Sequence, residues 1–213
     1  RYDEAWMLMN QALDIAIQID NKKQIVACHK QLYYLCREFK RVMNERGDEQ
    51  ASTLFFRESL LHEMYFSEKP RLAELTVRYE ALRCDIMQQY YMNKDYDNVI
   101  RIATSLDIHD DADPNASCLV YYYKAQAYVK LENYPMAKEA FFREFELRKK
   151  YLGWEEEDTI LACQNLGVLH SFCNEREEAL ACFREAYGHE VKKNGEDSEM
   201  AQKLLQYISV VES

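Results

Sequence analysis

YYYKAQAYVKLENYPMAKEAF, residues 121–141, and CQNLGVLHSFCNEREEALACF, residues 163–183, lie on one template. Gly167, Ala179 and Phe183 stand 42 residues after Ala125, Ala137 and Phe141. A third copy, IMQQYYMNKDYDNVIRIA at 86–103, places Tyr96 38 residues before Tyr134. The opening RYDEAWMLMNQAL, residues 1–13, fits the second half of the same unit. Small and aromatic residues recurring at fixed offsets, with a period of about 34–42 residues, mark a helical solenoid. Each unit of such an array packs only on its neighbours, and the array presents a long surface suited to binding.

Composition agrees. Apolar residues make up 48% of the 213, charged residues 30%, and there are only 5 Gly and 3 Pro, too few for a turn-rich all-β chain. No run approaches the length of a membrane span. The net charge of −10 disfavours a nucleic-acid backbone or an anionic membrane and favours a basic or neutral peptide. The seven cysteines, Cys28, Cys36, Cys84, Cys118, Cys163, Cys173 and Cys182, fall mostly in apolar helical stretches. Their odd number and lack of framework spacing imply buried thiols in a reducing, cytoplasmic compartment.

Periodicity predicts helices at 2–19, 22–44, 48–66, 70–92, 96–106, 116–131, 134–151, 158–173, 176–193 and 197–211. Asp113 before Pro114 reads as a cap followed by a proline in the first turn, and Pro135 opens the next helix in the same way. Asp158 or Thr159 is expected to cap the helix after Glu155–Glu157, and Gly195 after Lys192 and Lys193 to stop one. Gly167 sits mid-helix, where Gly costs about 1 kcal/mol relative to Ala. Its offset predicts a second helix crossing close by, with Ala125, Ala137, Ala179 and Ala186 small for the same reason. Tyr128, Phe141 and Phe183 are expected to fill the space between paired helices.

These offsets resemble the tetratricopeptide repeat family, most closely over 83–213 and recognisably at 1–13. The second half is similar to the 42-residue repeats of kinesin light chains and nephrocystin-like proteins. Gly153–Thr159, Gly195–Ala201 and DADPNAS at 111–117 occupy the slot of that variety's inter-repeat loop. The resemblance implies an all-α, right-handed α-α superhelix of about ten antiparallel helices in one array over 1–213. Its parts are 1–19, the second helix of a repeat; 22–66, an irregular lengthened pair; repeats at 70–106, 116–151 and 158–193; and 197–211, a terminal or capping helix. Because the chain opens inside a repeat, it is expected to be a window of a longer protein.

In this family the first helix of each pair lines a concave groove. Carried onto this chain, the groove offsets fall on Cys84, Asp85, Gln88 and Tyr91; on Tyr122, Tyr123, Gln126 and Lys130; and on Gln164, Asn165, Val168, Ser171 and Phe172. Amides can satisfy both the N–H and the C=O of an extended peptide, and Tyr offers area with a polar tip. The family's carboxylate clamp for chaperone tails is not matched, since only Lys130 and Asn165 are of the right type and they stand at other offsets. The expectation is a non-enzymatic scaffold binding a peptide or partner helix in this groove, without cofactor or metal. The alternative is a peptide-sensing regulatory domain of a larger bacterial regulator, with the irregular 20–70 segment as its bistable element. Nucleic acid and membrane are not expected as partners, and self-association would run through terminal repeats.

Chemical motifs are few. His29, His62, His109, His170 and His189 form no HExxH and no close ligand pair in sequence, so no zinc site is expected. Asp111, Asp113 and Asn115 begin a calcium-loop spacing, but Ala116 and Tyr122 stand where Gly and Glu belong, so the acidic loop at 107–113 reads as solvated and capping. Cys28 and His29 are adjacent and cannot face each other on a helix. An acid/base pair of Asp85 and His170 is the remaining enzymatic reading, supported only by their groove offsets.

Overall fold

The computed structural model describes residues 2–67, 79–104 and 113–213, which form ten α-helices and no strand. They are α1 (Tyr2–Gln18), α2 (Lys22–Arg46), α3 (Glu49–Glu63), α4 (Tyr79–Met92), α5 (Tyr96–Thr104), α6 (Pro114–Lys130), α7 (Tyr134–Tyr151), α8 (Glu157–Phe172), α9 (Arg176–Asn194) and α10 (Glu199–Glu212). The fold is an all-α helical-repeat solenoid. The chain divides into two compact units, Arg1–Ile108 and His109–Ser213, and within each the main contacts run between consecutive helices. The part of the predicted 70–92 helix before Tyr79, and all of the acidic loop but Asp113, lie outside the described residues.

One turn accounts for the sequence repeat. Asp20, Lys94, Glu132 and Asn174 all adopt left-handed backbone, with φ of 50°, 60°, 57° and 61°, and Gly47 does so at 76°. Each follows a helix, and each donates its N–H to the carbonyl three residues back. The next residue donates to the carbonyl five back, as in Asp95 to Tyr90, Asn133 to Tyr128 and Glu175 to His170. That pair of bonds is a Schellman closure, here accepted by non-glycine residues despite a cost of about 1–2 kcal/mol each. The second residue then starts the following helix: Asn21, Asp48, Asp95 and Asn133 cap it by accepting from Gln24, Ala51, Asn98 and Met136 N–H. From Lys94 to Glu132 is 38 residues and from Glu132 to Asn174 is 42, the offsets read from sequence.

Packing in the 113–213 unit follows the expected small-to-large scheme. Ala125, Ala137, Ala179 and Ala186 have no exposure, and Tyr128, Phe141 and Phe183 are buried among them. A Cβ added at Gly167 would lie 2.8 Å from Phe183 Cε1 and 3.0 Å from Cys182 Cβ, so α8 and α9 approach as closely as the glycine allows. Asp113 accepts from Ala116 N–H at the start of α6, with Pro114 in the first turn. The expected cap of α8 is corrected. The helix begins at Glu157 with no side-chain cap, because Asp158 is drawn to Arg148 Nη1 at 2.8 Å and Thr159 is buried. Trp154, in the loop before α8, stacks on His189 of α9 at 3.9 Å and meets Phe145 of α7 edge-on.

Candidate functional site

The expected groove residues of the 113–213 unit lie on α6 and α8. On α6, Tyr122, Tyr123 and Gln126 are half-buried and Lys130 is exposed, with the two tyrosine rings edge-to-face at 5.4 Å. On α8, Asn165 and Val168 are half-buried, and Ser171 and Phe172 are exposed. Phe172, at 75% exposure, is a large apolar ring open to solvent. Gln164 differs: it is 5% exposed with its Oε1 unpaired, so its amide belongs to the packing.

In the 2–104 unit the corresponding residues lie on α4. Asp85 and Gln88 are exposed and Tyr91 is half-buried, its ring 5.5 Å from Tyr96. Cys84 is buried, which removes it from any groove. Gln88 lines a cleft of about 830 Å³ between the start of α3 and the end of α4. Asp48, Thr53, Phe55, Gln89 and Met92 share its walls. The lining is amide, hydroxyl and acid around an aromatic ring and a thioether.

A second constellation, deep in the 2–104 unit, escaped sequence reading. Glu58 on α3 is fully buried. Its Oε1 accepts from Arg101 Nη2 of α5 at 2.5 Å, and its Oε2 from the Tyr90 hydroxyl of α4 at 2.6 Å. Arg101 also donates to Asn10 Oδ1 and lies over the Trp6 ring, both on α1. His62, one helical turn from Glu58, turns Nε2 toward Oε1 at 3.6 Å and Nδ1 to Nδ1 of His29 at 2.9 Å. His29 stacks on Tyr65 at 3.7 Å. The histidines that form no close pair in sequence are thus paired in space: α2 and α3 bring together residues 33 apart. The available signals were Arg101 inside the apolar NVIRIA and the i, i+4 spacing of Glu58 and His62.

Burial opposes charge throughout this cluster, and pairing decides which charges survive. Burial alone would raise Glu58, but the Arg101 guanidinium beside it and the Tyr90 hydroxyl donating to it hold it down at about 2. Burial, then His62 and Arg101, lower His29 to about 2, so its ring is neutral. Burial lowers His62 as well, against Glu58. Burial and the Glu58 charge raise Tyr90 and Cys36 well above their ordinary values.

The 113–213 unit has polar joints of its own. Glu175 accepts from Lys138 Nζ at 2.5 Å and pairs with His170 Nδ1 at 2.6 Å, tying α7 to the turn between α8 and α9. Buried Glu144 pairs with Arg148 at 2.8 Å while its Oε2 is unpaired, and burial pushes it up to about 7. Asp85 is exposed on α4, and His170, on α8, is paired with Glu175.

No family model matches the chain, and no curated protein matches it in sequence. Among solved structures, BtubC (BKLC) from P. vanneervenii is similar to it with a TM-score of 0.58 and 13% identity, over 99% of this chain and 83% of that one. At that identity the likeness bears on the fold, a helical repeat. No helix among the described residues is long and apolar enough to cross a membrane.

Proposed function

We propose that this chain is a non-enzymatic scaffold of the tetratricopeptide kind that binds a peptide segment or partner helix along the exposed amide and aromatic side chains of its helical hairpins. The observation that carries this reading is the cleft of about 830 Å³ at Gln88, an expected groove residue, with amides on its walls and Phe55 and Met92 among them. A cleft walled by the capped start of α3 and the closed turn at the end of α4 is formed before the ligand arrives, which lowers the ordering cost of binding. The net charge of −10 adds a preference for basic segments, and their affinity falls with salt.

The test is a peptide-display screen followed by calorimetry with Gln88→Ala, Gln126→Ala and Asn165→Ala. A micromolar binder weakened about fivefold or more by at least one of these changes, the size of an interface residue worth about 1 kcal/mol, is the expected result. Absence of any binder, or a binder indifferent to all three, would refute it.

A further inference from the structure

Three donors of different kinds converge in the core of the 2–104 unit. Cys36 Sγ, a carboxylate oxygen of Glu58 and a ring nitrogen of His62 lie within 4.8 Å of one another, and all three side chains are fully buried. We propose that Cys36, Glu58 and His62 form a buried site for a zinc-class transition-metal ion, oriented by His29 and Arg101.

The histidine pair supplies the first argument. The two Nδ1 atoms are 2.9 Å apart, so one proton lies between them, while neither Nε2 has a hydrogen-bond partner. With the proton on His62 Nδ1, its Nε2 presents a bare lone pair toward Glu58 Oε1 at 3.6 Å. That lone pair is then unmet in a desolvated core, facing a carboxylate oxygen that Arg101 already holds, and a metal ion bound between them would satisfy it. The other tautomer places an N–H on His62 Nε2 too far from the carboxylate for a hydrogen bond and strands the lone pair of His29 instead. A ligating histidine that gives its other N–H to a neighbour is the ordinary second-shell arrangement, and His29 stands where that neighbour belongs.

Distances supply the second. Zinc holds imidazole nitrogen and carboxylate oxygen at about 2.0–2.2 Å and thiolate sulfur at about 2.3 Å. Tetrahedral angles then set donors roughly 3.3–3.8 Å apart. Glu58 and His62 already stand at 3.6 Å, and with all three donors within 4.8 Å of one another the rest of the triad has at most about 1 Å to close. Arg101 and Tyr90 become the carboxylate's hydrogen-bonding shell. Binding forms the metal–sulfur bond as the Cys36 thiol proton leaves to solvent. Since Arg101 already balances Glu58, the thiolate offsets only one of the ion's two charges. The affinity is accordingly below that of closed multi-thiolate sites.

Cobalt titration of the folded chain tests this without any ligand of the cleft. One equivalent should bind with a thiolate-to-cobalt charge-transfer absorption that zinc displaces. Cys36→Ser should abolish the band, His29→Asn should weaken binding on the order of tenfold, and Cys118→Ser, in the other unit, should change nothing. A wild-type chain that shows no band with metal in excess, or a band that survives Cys36→Ser, overturns the proposal.

Discussion

Residues 113–213 are held where small residues make room for rings: Ala125, Ala137, Gly167 and Ala179 against Phe141 and Phe183. Residues 2–104 are held around a buried charge, with Glu58 joining α3 to α5 through Arg101 and to α4 through Tyr90, and Arg101 reaching α1. Apolar packing of the first kind tolerates gradual change, because each contact is small and shared by many atoms. A desolvated ion pair does not, because removing one partner leaves the other charged and unsolvated. The two units should therefore fail differently, and each contains one tryptophan, Trp6 or Trp154, to report it.

The largest effect is expected from Arg101→Met. Truncating one member of a buried pair costs about 3–5 kcal/mol. Urea unfolding followed at Trp6 should show that loss, while the transition at Trp154 keeps its midpoint. Glu58→Leu combined with Arg101→Met should recover much of it, since the uncompensated charge is gone. A loss below about 1 kcal/mol in the single variant would show that the pair is not what holds the 2–104 unit together.

The contrast also explains what could be read in advance. Helix positions, the 38- and 42-residue offsets, the role of Gly167 and the cap at Asp113 were legible because each rests on local spacing and propensity. The Schellman turns lay behind those offsets, but non-glycine residues at Lys94, Glu132 and Asn174 concealed the left-handed backbone. The cap of α8 was misread because Asp158 is claimed by Arg148. The cluster at Glu58 was illegible because His29, His62, Tyr90 and Arg101 meet only through tertiary packing, across as many as 43 residues from Glu58 to Arg101. Of the expected groove residues, Asp85, Gln88, Lys130, Ser171 and Phe172 are exposed on α4, α6 and α8, while burial took Cys84 and Gln164, which local spacing could not foresee.

Two buried carboxylate–arginine pairs sharpen the comparison by titrating in opposite directions. Glu58 has both oxygens hydrogen-bonded and is held at about 2; Glu144 leaves Oε2 unpaired, and burial raises it to about 7. Both start from an ordinary value of 4.5. For Glu58 the unfolded chain binds the proton more readily, so its stabilisation is full above 4.5 and is lost as pH falls toward 2. For Glu144 the folded chain binds it more readily, so its contribution is full below 4.5 and is lost as pH rises to 7, by up to about 3 kcal/mol. Denaturation midpoints at Trp154 should therefore fall between pH 5 and pH 7.5, and Glu144→Gln should flatten that slope. An unchanged slope in the variant would assign the pH dependence elsewhere.

The smallest effect tests the packing side of the comparison. Gly167→Ala gains about 1 kcal/mol of helix propensity but places a methyl 2.8 Å and 2.9 Å from Phe183 Cε1 and Cδ1 and 3.0 Å from Cys182 Cβ. Neither neighbour can yield cheaply. Phe183 is 1% exposed and stacked on Tyr207 of α10 at 5.1 Å, and the Cys182 Cβ moves only with the backbone of α9. Overpacking of this kind costs about 1–3 kcal/mol, so the sum should be a net loss of about 1 kcal/mol at Trp154. Shortening the ring with Phe183→Leu creates a cavity alone, yet in the double variant the new methyl occupies part of it, and the two losses should be less than additive. A stabilised Gly167→Ala would mean that α8 and α9 separate at no cost, and that the 113–213 unit, too, depends on its polar joints.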